Sequence, residues 1–558
     1  MSHYKIAMTD FKKELHPYTY PAAYQKRVAY FSMEYAIEQF LKMYSGGLGF
    51  LAGSHMRSAH HLKQNMVGIG IYWKYGYYDQ VHKSDQTMSV LFLEKIYSFL
   101  QKTDMQFEIN INDSPVQVGV YYLPPNAFDT APIFFLTTNL PDNDYLAQTI
   151  THKLYDSNQE AKIAASILLG AGGHKLLEIL DLAPDVYHLN EAHALPLAFT
   201  LFHKYGQAEE VRKRLVFTTH TPEAAGNEKT DIRLLDKMGY FSYLPLNEVR
   251  QITGIKEDTF DHTLAALRLA RKANAVSRMH GEVVQTLWGG HPEICPITYI
   301  TNAQSYSYWA DQYMYEYLQQ GDDEKLFLRK RQLKKQLFEE VADQTGDLLD
   351  ENVFTIVWAR RFAAYKRADL IMNDMIRFER MLTDSEKPVQ VIWAGKPYPT
   401  DYAAVSVFDR LVHHSKKYHH CSVLVGYELK LSKLLKQGAD LWLSNPLVTH
   451  EASGTSGMTA AMNGAVLLST ADGWVPEFIR HGSNGFMVPP VDPTLPLHEQ
   501  NSLDAKKILD TLEQEILPLY YQEPEQWLTI VKNGMRDILP LFDSDRLARE
   551  YYEKLYSS

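Results

Sequence analysis

The sequence predicts an α/β protein built as two similar units, each a largely parallel sheet covered by helices. Three observations carry this. Short, nearly continuous apolar runs alternate with longer helical patterns, as expected of strands buried on both faces. The alternation stops at a charged helical stretch and then restarts. The chain, at 558 residues, is too long for one ordinary core. Together they describe two Rossmann-like domains, with ligands expected at the carboxyl ends of strands and the active site in the interdomain cleft.

In chain order, the first set of strand signals is "RVAYFSME" (27–34), "VQVGVYYL" (116–123), "PIFFLTTN" (132–139), "DVYHLN" (185–190), "RLVFTTH" (214–220) and "ITYITN" (297–302). A helical pattern such as "NQEAKIAASILLGAGGHKLLEIL" (158–180) separates several of them. The charged stretch "DDEKLFLRKRQLKKQLFEEVADQTG" (322–346) reads as one connecting helix. The second set is "VFTIVWAR" (353–360), "VQVIWAG" (389–395), "CSVLVGY" (421–427), "ADLWLS" (439–444) and "GAVLLST" (464–470), followed by a helical C-terminal region. The expected organisation is a first domain over 1–330 and a second over 350–535. A C-terminal helix, 536–558, is expected to pack back on the first domain.

Composition narrows the function. A net charge of −11 argues against broad neutralisation of nucleic-acid phosphates, while leaving room for a local basic pocket. Two cysteines, Cys295 and Cys421, make neither a disulfide framework nor a cysteine zinc site. The first twenty residues lack a signal-peptide pattern, and no apolar run is long enough for a membrane span. The expectation is a cytoplasmic protein with no nucleic-acid or membrane partner. Aromatic residues make up 12% of the chain, which suits sugar-stacking faces, although composition alone favours core and surface filling.

Four stretches carry candidate chemistry. In "YSGGLGFLAG" (44–53), Gly46, Gly47 and Gly49 permit tight turns and close backbone approach to an anion or sugar; a purely structural turn explains them equally. "ARRFAAYKR" (359–367) sets Arg360, Arg361, Lys366 and Arg367 at a strand-to-helix junction, a good phosphate site, though a solvated basic helix face uses the same residues. In "THEASGTSGMTAAMNG" (449–464), Ser453, Gly454, Thr455 and Gly457 suit a loop with N–H groups facing a ligand. Glu451 stands at its entry to accept hydroxyl hydrogen bonds, though an ordinary helix cap uses the same residue types. His188, His193 and His220 lie at or just after strand ends, and none falls in a metal-binding spacing, so no metal is expected.

Taken together, "AYFSMEY", "YSGGLGFLAGSH", "HLNEAH", "VFTTHTP", "NAVSRMHGEV", "ITN", "ARRFAAYKR", "WAGK", "ADLWLSNP", "EASGTSGM" and "DGW" stand in the order found in α-glucan phosphorylases. From about residue 27 to 490 the chain resembles the shorter bacterial members of that glycogen, starch and maltodextrin phosphorylase family. The resemblance implies a GT-B glycosyltransferase fold, a retaining phosphorolysis of α-1,4 linkages to glucose 1-phosphate, and little room for an N-terminal regulatory segment. It implies that Arg361 and Lys366 bind phosphate with Arg360 beside them. Asn302, Tyr365, Glu451, Ser453 and Gly454 would contact the sugar, with Thr455 in the same loop. It also implies that the His220 carbonyl faces the anomeric carbon, and that Gly46, Gly47 and Gly49 form the glycine loop on the phosphate side.

One departure changes the expectation. Where the family carries the lysine that holds pyridoxal phosphate as a Schiff base, this chain has Thr459, which has no amine. No covalent cofactor is therefore expected, and pyridoxal phosphate has only a non-covalent place. The family's Gly after "ITN" is also replaced, by Ala303. These departures favour a retaining α-glucosyltransferase with a sugar-nucleotide donor and an α-glucan or oligosaccharide acceptor. Arg361 and Lys366 keep the five-residue spacing with which related transferases hold a donor diphosphate. The alternatives are a phosphorylase of altered cofactor use, acting with glucose 1-phosphate, and a non-catalytic glucan binder; a homodimer is compatible with each.

Overall fold

A computed structural model of the chain describes residues 15–223 and 226–557; residues 1–14, part of the stretch read for a signal peptide, lie outside them. The chain divides into two compact units. The first takes in the chain up to Tyr78, Phe92–Thr301 and the segment from Ser544; the second takes in Asp79–Leu91 and Asn302–Asp543.

The sheet of the first unit has nine strands: β1 (Val28–Phe31), β2 (Met66–Ile71), β3 (Gln101–Ile111), β4 (Ser114–Leu123), β5 (Ile133–Thr137), β6 (Val186–Asn190), β7 (Leu215–Thr218), β8 (Lys272–Ala275) and β9 (Ile297–Tyr299). They lie in the order β9-β8-β7-β6-β1-β2-β5-β4-β3. The run from β9 to β5 is parallel, and β1, the central strand of the sheet, is buried along its length. The reading of 116–123 with the parallel strands needs correction, because β4 pairs antiparallel with both neighbours. The cause is local. Asn112 and Asp113, with φ of 52° and 57°, make the two-residue turn that reverses the chain between β3 and β4. Buried and exposed residues then alternate along most of β3, as in a strand with one wet face.

The sheet of the second unit contains β10 (Phe354–Ala359), β11 (Val389–Ala394), β12 (Cys421–Leu424), β13 (Leu441–Ser444), β14 (Val466–Thr470) and β15 (Phe486–Val488). It is wholly parallel and runs β12-β11-β10-β13-β14-β15. The strand order reverses beside β10, which is the switch point where doubly wound sheets bind ligands. β10 and β11 are buried at every residue, and the Trp358 indole inside β10 donates to Asn445 Oδ1 at 2.9 Å.

The charged stretch is one helix, Asp323–Thr345, begun by the Asp322 cap on the Lys325 N–H and ended by Gly346 at φ 82°. It belongs to the second unit, where buried Lys334 bonds Asp440 at 2.6 Å, so the division falls at Thr301/Asn302 and not near 330–350. The helix Pro524–Phe542 also stays in the second unit, with Met535 O accepting from Tyr315 at 3.1 Å. The chain enters the first unit only from Ser544, later than the 536 expected. There Ser544 bonds Ser58 at 2.6 Å, and the Tyr556 hydroxyl meets His188 Nδ1 at 2.7 Å.

Candidate active site

In the second unit the functional side chains gather where β10 ends. The loop after Ala359 presents Arg360 and, through the short helical turn Ala364–Lys366, Lys366. Both reach one carboxylate oxygen: Arg360 Nη2 lies 2.5 Å and Lys366 Nζ 2.7 Å from Glu451 Oε2. Arg360 and Lys366 are buried, and the Glu451 side chain is 12% exposed. Burial alone would push the Glu451 carboxyl up, but Lys366 and Arg360 outweigh it and hold it down at about 2. Burial, with Arg360 adding to it, pulls Lys366 down to about 7. Arg360 Nη1 is buried and has no hydrogen-bond partner among the described residues. The trio thus carries two cations against one carboxylate and keeps one N–H unspent.

The other members of the basic cluster separate. Arg367 is structural: it holds the carbonyls of Asn445 and Pro446 and pairs with Asp504 at 2.8 Å. Arg361 is exposed on the same loop and interacts with Tyr365. The Tyr365 ring stacks near His450, with centroids 6.2 Å apart, and the Lys366 ammonium lies over it at 4.9 Å. Asn302 is buried at the start of this unit.

The loop at 451–457 is pinned by a residue to which the sequence reading gave no role. Asp472, in "DGW" after β14, accepts the Glu451 N–H at 2.8 Å, and burial pushes its carboxyl up to about 7. The next residue must be glycine, since a Cβ on Gly473 (φ 60°) would lie 2.2 Å from the Ser453 carbonyl. Ser453 is buried, and Gly454 has φ 78°. Thr455 occupies the N-cap of helix Ser456–Ala461 without a side-chain cap bond. Thr459 is buried one turn on, and its hydroxyl donates to Ser456 O at 3.0 Å. A covalent imine-linked cofactor therefore does not fit at position 459, which offers no amine and a hydroxyl turned back on its own helix.

The first unit places a different chemistry at its strand ends. Beyond β1, Glu34 accepts from Ser45 N (2.7 Å), Ser45 Oγ (2.9 Å), Gly46 N (3.2 Å) and Tyr155 OH (2.5 Å). The glycine loop thus turns two N–H groups onto the protein's own carboxylate. Gly46 and Gly47 border open space, whereas Gly49 is close-packed: a Cβ there would lie 2.6 Å from Tyr44 Cβ. Beyond β6, Glu191 takes φ 68° and accepts from His220 N at 2.5 Å and Thr221 Oγ1 at 3.1 Å. Burial pushes its carboxyl up to about 7. His220 Nε2 meets Asn190 Oδ1 at 2.7 Å, and burial pulls the ring down to about 3, so it is neutral at pH 7. His193 has its Nδ1 buried without a partner among the described residues. His188 is a satisfied core residue between Tyr556 and Thr218. No cluster of potential metal ligands occurs among the described residues, and none of their helices is long and apolar enough to cross a membrane. Glu34 and Glu191 were visible as letters in "AYFSMEY" and "HLNEAH", but only the fold gives them roles.

The second unit thus gathers buried cations around a carboxylate at its switch point, and the first unit gathers neutral hydrogen-bonding groups at its own strand ends. The family described as Carbohydrate phosphorylase matches residues 298–483. An uncharacterized protein of Methanocaldococcus jannaschii is 44% identical over 95% of this chain and 100% of its own length. Maltodextrin phosphorylase of Thermococcus litoralis is 30% identical over 99% of this chain and 74% of its own. Glycogen phosphorylase of Aquifex aeolicus is 29% identical over 100% of this chain and 90% of its own. The chain belongs to the carbohydrate phosphorylase family, a family of hexosyltransferases.

Proposed function

We propose that the protein is a retaining α-glucosyltransferase of the GT-B type that moves a glucosyl unit between an α-glucan and a phosphate, in the direction of or from glucose 1-phosphate. The trio of Arg360, Lys366 and Glu451 carries this reading. Two cations balanced by one carboxylate leave charge and one Arg360 N–H for an incoming phosphate, in surroundings dry enough to strengthen both. Arg361 joins from the exposed side of the same loop. Asn302, Tyr365, Ser453, Gly454 and Thr455 bind the sugar, and Asp472 acts through Glu451 by fixing its backbone. The first unit is the acceptor side, where Glu34, Glu191 and the His220 carbonyl meet hydroxyls and developing positive charge. The names of the relatives, maltodextrin and glycogen phosphorylase, favour the α-glucan and the phosphate.

Thr459 favours a second reading, in which a sugar nucleotide replaces glucose 1-phosphate and its diphosphate occupies the Arg360–Lys366 pair. In the phosphorylase reading pyridoxal phosphate, which would supply a phosphate acid and base when bound, is held without a covalent link. One assay separates the readings. Purified protein is incubated with maltodextrin and phosphate, with and without pyridoxal phosphate, and in parallel with sugar nucleotides. Glucose 1-phosphate formation supports the first reading, and nucleoside diphosphate release the second. Neither product would leave a glucan-binding protein and overturn both.

A further inference from the structure

A cavity of about 710 Å³ opens in the first unit, lined by four cationic side chains, Arg212, Lys213, Arg268 and Arg271, against two carboxylates, Glu209 and Glu293. Its size is that of a small-ligand pocket. It sits among the amino ends of three neighbouring strands, since Lys213, Arg271 and Pro296 lie just before β7, β8 and β9. His220 follows the other end of β7, and seven residues of extended chain set the two about 20 Å apart. The cavity is therefore not part of the site at the carboxyl strand ends.

The guanidinium groups here are tied to main-chain carbonyls, which fix them without cancelling their charge. Arg268 donates to Thr253 O at 2.7 Å and Pro292 O at 3.2 Å; Arg212 Nε donates to Arg268 O at 2.8 Å. Arg271 donates to Lys213 O at 3.2 Å and to Tyr556 O at 2.7 Å. The ion pair of Arg212 with exposed Glu209 is long, at 3.8 Å, and weak in solvent. Arg271 Nε is buried with no partner among the described residues. In a chain of net charge −11, a preorganised cationic wall with an unmet donor is a built feature.

We infer that this cavity binds a small phosphate compound carrying at least two negative charges, held by Arg212, Lys213 and Arg271. Occupancy also bears on the C-terminal segment, because the same Arg271 guanidinium caps the carbonyl of Tyr556. The inference stands independently of the catalytic reading above.

Hydrogen exchange of the whole protein tests it, with inorganic pyrophosphate as the probe and sodium chloride of equal ionic strength as the control. Protection should rise in peptides covering 209–214, 268–273 and 292–297, and should be lost in Arg271→Gln while any protection at 451–459 persists. Lys213→Gln, on a mostly exposed side chain, keeps the test open if Arg271→Gln fails to fold, and should weaken the response at least threefold. No protection in these peptides at millimolar pyrophosphate, or protection unchanged in both variants, overturns the inference.

Discussion

Glu191 in the first unit and Glu451 in the second are both largely buried carboxylates at a strand-end loop, and their surroundings drive them in opposite directions. Glu191 meets an amide N–H and a hydroxyl but no cation, and burial pushes it up to about 7. Glu451 meets Arg360 and Lys366, which overcome the same burial and hold it down at about 2. Desolvation is common to both sites, so the presence of a cation decides the charge. The carboxylate of the first unit is thereby driven toward its neutral form, and that of the second is held charged.

The largest way to break this contrast is to remove a cation. Lys366→Ala should lower transfer by at least about a thousandfold, the scale for losing a charged group that meets the transition state, with steady-state kinetics as the readout. Near wild-type turnover would remove the phosphate assignment. Glu451→Gln leaves buried Arg360 without its carboxylate and drives Lys366, already pulled down to about 7, toward its neutral form; it should cost about 3–5 kcal/mol in urea unfolding. Added phosphate should recover part of that loss in the variant.

The pH dependence of stability sharpens the contrast further. Glu451 has a folded value below its unfolded one, so its contribution is present above pH 4.5 and is lost as pH falls toward about 2. Glu191 has a folded value above its unfolded one, so its ionisation destabilises progressively as pH rises from about 4.5 to about 7. Glu191→Gln, whose amide oxygen can accept the same two bonds, should be stabilising by about 3 kcal/mol at pH 8 and near neutral at pH 4. Equal effects at both pH values would contradict a raised Glu191. The smallest effect concerns the glycine loop. Gly46→Ala faces open space and should shift stability by no more than about 0.5 kcal/mol, whereas Gly49→Ala should cost about 1–3 kcal/mol.

The sequence was most legible where packing is uniform. Continuous apolar runs located β1, β5, β6, β7 and the strands from β10 to β14 to within a few residues. β3 escaped because its alternating pattern belongs to a half-exposed antiparallel strand and offers no continuous apolar run. β8, "KANA", and β2, "MVGIGI", escaped because small residues pack closely without a strong apolar signal. At the site, Arg360, Lys366 and Glu451 could be read as neighbours of one ligand, since each lies in the loop that follows a strand beside the switch point. That Glu451 is the partner of both cations could not, because the residues are more than eighty positions apart. Asp472 and Glu34 were hidden although their partners are nearer in sequence, because each acts on a loop backbone that only the folded loop brings to it.

The central claim is that phosphate binds at the trio, and a crystal of the protein soaked in orthophosphate tests it most directly. The account predicts a phosphate within hydrogen-bond distance of Arg360 Nη1 and Lys366 Nζ, with Glu451 still in place beside them. Phosphate absent from that position, with the trio closed on itself at saturating concentration, would contradict it.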